Sequence, residues 1–146
     1  MSTKPNSFIN QLRNNILAIL SLSIAISALG YNSWRNELSE QNRNTRYAGF
    51  EIIKETSKLQ NFLDQTTFTK QQDQSNTPIE GWVRIRLIRS LSMFMNNLVQ
   101  DKAELLYSQW RSSWQDLSSN EMTNRQLSLN IEALIQEVRL ELSLLR

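Results

Sequence analysis

Cysteine and histidine are both missing from the chain. Without Cys there is no disulfide framework, no thiolate nucleophile and no zinc–thiolate site. Without His the commonest general base and transition-metal ligand are gone as well. A chain with no Cys is at home on either side of a membrane, so the redox compartment stays open. Glycine occurs three times and proline twice, and Pro5 and Pro78 bracket more than seventy proline-free residues. Folds built on tight β-turns use both residues at every corner, so their scarcity predicts long helices. Gly30, Gly49 and Gly81 are isolated from one another, which excludes a phosphate-cradling loop. The acids show neither EF-hand spacing nor a paired-carboxylate motif, and no serine stands in a serine–lysine signature. The expectation is a non-enzymatic protein with no catalytic residue, no cofactor and no metal.

Charge of one sign is also lacking. Sixteen Lys and Arg face fourteen Asp and Glu, for a net charge of +2 over 146 residues. The distribution is uneven: Lys4 and Arg13 are unopposed in residues 1–34, residues 77–99 carry a surplus of two positive charges, and residues 100–146 a deficit of two. A basic helix followed by an acidic one suits pairing inside the molecule better than it suits a polyanion, so no nucleic-acid partner is expected. Hydrophobic residues make up 40% and charged ones 21%, both a little low for a globular protein, and Asn, Gln, Ser and Thr fill the difference.

What is present in abundance is one greasy run, "NNILAILSLSIAISALGYNSW". Residues 14–34 hold no formal charge over 21 positions, which as a helix rising about 1.5 Å per residue covers roughly 31 Å, close to the hydrocarbon thickness of a bilayer. Tyr31 and Trp34 suit the headgroup level, and Arg13 and Arg35 stand where charged heads reach water. The apolar residues Ile16, Leu17, Ile19, Leu20, Leu22, Ile24 and Ile26 point all around the axis, unlike the one-sided stripe of a soluble helix. The reading is a membrane span. Two rivals are a secretory signal cut before Ala28, with Ala25 and Ser27 as the small pair, and a buried soluble helix. Against cleavage, helical pattern runs straight on through "RNELSEQNRNTRYAGFEIIKE". Ala18, Ser21, Ala25 and Ala28 share one face of the span and form a candidate helix-packing surface. A plain count sets Lys4 and Arg13 before the span against Arg35, Arg43 and Arg46 after it and favours a cytoplasmic C-terminal domain, but the tail's cations have no acid beside them whereas Glu37 and Glu40 offset part of the charge that follows, which tips the balance slightly to a cytoplasmic tail and a periplasmic bundle.

Beyond the span the expectation is an all-α protein: a tail at 1–13, a transmembrane helix at 14–34, and an antiparallel helical bundle over 35–146 with helices near 35–68, 78–98, 102–117 and 119–146. Leu38, Gln41, Thr45, Ala48, Ile52, Thr56, Leu59 and Leu63 mark one face of the first. "TKQQDQSNT" reads as a loop. Thr77-Pro78-Ile79-Glu80 is a capping box with proline at the first helical position, and Val83, Leu87, Leu91, Phe94 and Leu98 read as the core stripe of the helix it opens. "NNLVQDK" reads as a connection to a helix capped by Asp101 and Glu104, with Ala103, Leu106, Tyr107, Trp110, Trp114 and Leu117 facing inward. Ser118 and Glu121 open the last helix, whose stripe is Leu127, Ile131, Leu134, Val138, Leu142 and Leu145. Trp82, Arg86, Arg89 and Met93 lie largely away from the expected stripe of their helix and form a candidate partner-binding patch. The bland alternative packs Trp82 beneath the loop and pairs the arginines with the acidic last helix.

The runs "LGYNSWRNELSEQNRNTRYAGFE" and "PIEGWVR" resemble segments of small uncharacterised single-pass membrane proteins of proteobacteria that share a Tyr-Asn-x-Trp-Arg-Asn-Glu pattern after the span. The resemblance implies a bacterial inner-membrane protein and no particular activity. The expected function is protein–protein interaction or assembly beside membrane lipid, with a protein partner or a homo-oligomer. The alternative is an extracytoplasmic sensory or ligand-binding bundle.

Overall fold

A computed structural model of the chain describes residues 15–68, 78–117 and 120–145. The tail at 1–13, the loop at 69–77 with the Thr77 cap, and Ser118 lie outside the described residues. Within them are four α-helices, a single 3₁₀ turn and no strand: α1 Ile16–Phe68, α2 Pro78–Ser92, α3 Asn97–Ser113, the turn Trp114–Asp116, and α4 Glu121–Leu144. The protein is all-helical, as the scarcity of Gly and Pro implies.

The chain divides into two units, Met1–Gln41 and Asn42–Arg146, with α1 contributing to both. In the first unit every described residue is exposed, including all eight Leu and Ile of residues 16–29. The second unit holds the core. Ala48, Ile52, Leu59, Phe62 and Leu63 of α1 meet Ile85 and Ile88 of α2, Met95, then Val99, Ala103, Leu106 and Trp110 of α3, Leu117, and Leu127, Ile131, Leu134, Ile135 and Val138 of α4. The stripes read from α3, from α4 and from the later part of α1 are the ones that bury, while α4 leaves Met122, Leu129, Leu140 and Leu144 exposed on its other side. Leu38 and Gln41 stay exposed.

Cross-links between helices are sparse and specific. Gln60 donates to Ser128 Oγ at 2.9 Å, and the Arg46 guanidinium donates to the Leu145 carbonyl at 3.0 Å, so α4 runs opposite to the part of α1 it faces. Thr45 Oγ1 donates to the Phe94 carbonyl at 3.1 Å, and Asn130 donates to the Gln109 side chain.

Three boundaries and one face differ from the sequence expectation. Helix α2 ends at Ser92 rather than near 98, because Asn96 caps a new helix: its side chain accepts from the Val99 N–H at 3.0 Å, and its own N–H donates to the Glu141 carboxylate at 3.0 Å. Helix α3 therefore starts at Asn97, and Asp101 lies inside it. Asn120 caps α4 by accepting from the Thr123 N–H at 3.2 Å, so the helix opens at Glu121. Asn is among the strongest N-cap residues, and a chain rich in Asn and Ser offers several caps in a row between which local preference does not choose. The face of α2 is the larger correction. Val83 is 60% exposed, Leu87 39%, Phe94 60% and Leu98 58%, whereas Gly81, Ile85, Ile88 and Ser92 are buried. Of the expected stripe only Leu91 packs against the core; helix α2 carries apolar residues on two opposite sides, and the side that packs is the one on which Gly81 admits Trp110.

Candidate functional site

Two regions hold the candidate residues: the exposed apolar start of α1, and the surface where α2 meets α3. In the first, the window that is long and apolar enough to cross a membrane has none of its residues buried in the protein. A signal sequence near an N-terminus meets the same criterion of length and composition. The serines within it are satisfied internally: Ser21 Oγ donates to the Leu17 carbonyl at 2.8 Å, Ser23 to Ile19 at 2.9 Å and Ser27 to Ser23 at 2.8 Å. A hydroxyl bonded to the carbonyl four residues back can face hydrocarbon without an unsatisfied donor. Ala18, Ser21, Ala25 and Ala28 lie along one exposed face, and Tyr31 and Trp34 form a tilted pair with ring centroids 6.1 Å apart at the polar end of the apolar run.

At the second region the expected patch is divided. Trp82 is half-buried and packs against the core, with its ring edge-on to Tyr107, Trp110 and Trp114 at 6.2, 6.4 and 6.3 Å. It is chiefly a packing residue with aromatic neighbours, and the loop at 69–77 expected above it lies outside the described residues. The Arg86 guanidinium lies 5.2 Å from the Trp82 ring centroid, and that of Arg89 lies 4.4 Å from the Tyr107 ring. Arg89 also donates to Glu104 at 2.5 Å, so its acidic partner sits on α3 rather than on the last helix. Arg86, Arg89 and Met93, with Tyr107, Gln100 and Glu104 from α3, line an open groove of about 570 Å³. Three of the four expected patch residues thus share one concave surface, while Trp82 lies outside its lining and contacts it through Arg86 and Tyr107.

Two features behind this surface were not anticipated. Gly81 lies directly against Trp110: a Cβ there would stand 2.2 Å from Cζ2 and 2.4 Å from Cη2 of the indole. Only a residue without a side chain lets this ring reach its position against Phe62, whose centroid is 6.0 Å away. The other is a buried charge cluster. Glu55 is only 5% exposed, and its carboxylate accepts from Arg84 at 2.9 Å and from Lys58 at 2.6 Å, while Arg84 also pairs with Glu80. Burial pushes the Glu55 carboxyl up, but the hydrogen bonds and positive charges of Lys58 and Arg84 together outweigh it and hold it below its ordinary value of 4.5. Burial alone would lower the Arg84 guanidinium, and the bonds to Glu80 and Glu55 raise it instead. The sequence held one signal for this cluster: Glu55 sits between Ile52 and Leu59 on the core face, where an acid needs a cationic partner.

Among the described residues no group of three or more Asp or Glu is arranged to hold a metal ion. No family model matches the chain, and neither a curated protein nor a solved structure matches it.

Proposed function

We propose that the protein is a non-enzymatic, single-pass inner-membrane protein of a bacterium whose helical part works by binding protein, either a partner or further copies of itself. The observation that carries the reading is that all eight Leu and Ile of the apolar run 16–29 are exposed, whereas the later part of the same helix buries Ala48, Ile52, Leu59, Phe62 and Leu63 in a core. A core helix would be covered by its own protein, and a surface of this size left to water is an aggregation liability, so lipid is the natural cover. The neighbouring elements run in opposite directions wherever a pair of cross-links joins them, which supports an antiparallel helical bundle over residues 42–145 as the membrane-proximal part. The groove of Arg86, Arg89 and Met93 presents cations, aromatic edge and thioether together, a combination suited to protein contact. The bacterial assignment rests on the resemblance of the segments after the span. The unopposed cations before the span support a tail in the cytoplasm and a bundle in the periplasm.

The test is to wash membranes carrying the full chain with alkaline carbonate, weigh the retained product by intact mass, and then dissolve it in mild detergent for co-purification and light scattering. Retention at full mass, in a complex larger than one chain, is the expected result. Release by carbonate, a product beginning near Ala28, or a lone monomer would refute the anchored adaptor. A C-terminal alkaline phosphatase fusion that is active, and a fluorescent-protein fusion that stays dark, are expected for the periplasmic orientation.

A further inference from the structure

Helix α2 is held less firmly than the helices it packs against, and we infer that it undocks from α1 and α3 as a unit while the rest of the bundle stays folded. Among its fifteen residues the buried apolar side chains are Ile85 and Ile88, with Trp82 and Leu91 half-buried beside them. Helix α3 buries Val99, Ala103, Leu106 and Trp110, and α4 buries Leu127, Ile131, Leu134, Ile135 and Val138. The free energy of a local opening follows the apolar surface it exposes, which puts α2 at the low end. Its polar ties add little to this. The ion pair that joins it to α1 links Arg84, whose side chain is 18% exposed, to Glu55, at 7%; desolvating two such charges cancels much of their attraction, and undocking returns both to water. The pair to α3, Arg89 with Glu104, is half exposed and correspondingly weak. Among the described residues Arg84 Nε and Trp110 Nε1 are buried with no acceptor. Trp110 Cε2, the carbon that carries Nε1, lies 3.4 Å from where a Gly81 Cβ would stand, so α2 covers this donor. Unsatisfied donors of this kind penalise the docked state alone.

The two ends of α2 are fastened differently. Just past its last turn the Phe94 carbonyl accepts from Thr45 of α1 at 3.1 Å, the Asn96 N–H donates to Glu141 of α4 at 3.0 Å, and Met95 is buried. That end is pinned and acts as the hinge. The first turns rest instead on the Trp110 ring and the Glu55 carboxylate, and they are the part that lifts. Lifting separates Arg86 and Arg89 from Tyr107 and Glu104, so the groove between α2 and α3 exists only in the docked state, and a protein bound there would hold α2 down. The undocking itself goes beyond the interaction reading above and stands whether or not a protein occupies the groove.

Hydrogen exchange of the full chain in mild detergent, followed peptide by peptide with mass spectrometry over a series of low urea concentrations, tests this without any substitution. The amides of residues 82–92 are expected to exchange at one shared rate, at least tenfold faster relative to their intrinsic rates than those of residues 101–110 in α3 and 127–138 in α4. Their exchange is also expected to respond less steeply to urea, because an opening of one helix exposes less surface than unfolding of the whole bundle. Equal protection and equal urea dependence in the three helices would overturn the inference, since α2 would then leave only when everything unfolds. Protection that falls off gradually toward Pro78, with no shared rate, would overturn it as well by showing fraying in place of a hinged release. The measurement reads the bundle alone, so loss of the anchor or of the partner would leave its outcome unchanged.

Discussion

Replacing Gly81 by alanine is the sharpest perturbation the fold offers. A methyl at this position would stand 2.2 and 2.4 Å from two atoms of the Trp110 ring, where ordinary contact is 3.4–4 Å. The ring is rigid and fully buried, and Phe62 and Trp82 hold it from other sides. It must therefore shift by more than an ångström or push α2 away. Overpacking of this kind costs about 1–3 kcal/mol. The opposing gain from replacing glycine in a helix is at most ~1 kcal/mol. For a clash this deep the cost is taken as about 2–3 kcal/mol, so sterics win by about 1–2 kcal/mol, which for a folded unit near 100 residues lowers the melting temperature by roughly 5–15 °C. The assay is thermal unfolding of the full chain in detergent, followed by circular dichroism and by tryptophan fluorescence. Trp110→Leu empties the space the methyl needs, so Gly81→Ala in that background is expected to be neutral or stabilising, a coupling of at least ~1 kcal/mol. Gly49→Ala supplies the contrast: its Cβ would meet Leu142 Cδ2 at 2.9 Å, the end of a flexible, partly buried side chain, so a stability at or slightly above the parent is expected. A melting temperature for Gly81→Ala equal to or above the parent would refute the packing described here.

Acid should expose the buried charge cluster. The Glu55 carboxyl titrates below its ordinary value in the folded chain, so its stabilising contribution is complete above that value of 4.5 and is lost as the pH falls from there through the folded value. The parent is expected to lose melting temperature more steeply below about pH 4.5 than Glu55→Gln, which at pH 7 is itself less stable by roughly 2 kcal/mol because Arg84 loses a charged partner. Identical pH profiles for the two chains would contradict this. Arg89→Ala removes an ion pair whose side chains are about half exposed, at 49% and 53%, so it should change stability by under about 1 kcal/mol. Any larger loss in co-purification of a partner then reports the groove surface rather than unfolding, and unchanged co-purification would remove Arg89 from the binding surface.

Local pattern is enough for some elements and not for others. The charge-free run at 14–34 stands out by composition alone, and the stripes of α3 and α4 are legible because their inward residues recur at helical spacing. Leu127, Ile131, Leu134 and Val138 bury where their spacing places them. The pattern of α2 misleads because both of its faces are apolar, and the deciding contact, Gly81 beneath Trp110, joins residues far apart in the chain. No periodicity within α2 records that a tryptophan elsewhere needs a seat. The helix starts after Asn96 and Asn120 escape the pattern for a related reason, since "MNN" and "SSN" each offer competing caps and only the packed helices select one. Of the expected patch, Arg86, Arg89 and Met93 share a groove with Tyr107, a neighbour supplied by α3 that spacing along α2 could not reveal.

The claim that everything else leans on is that residues 16–29 sit in lipid. Two single-cysteine variants of the full chain in membranes, Leu22→Cys and Gln41→Cys, reacted with a membrane-impermeant maleimide before and after addition of detergent and denaturant, measure it directly. The Leu22→Cys thiol is expected to stay unlabelled until the membrane is dissolved, while the Gln41→Cys thiol reacts from at least one side at once. Labelling of Leu22→Cys in intact membranes at the rate of Gln41→Cys would contradict the account.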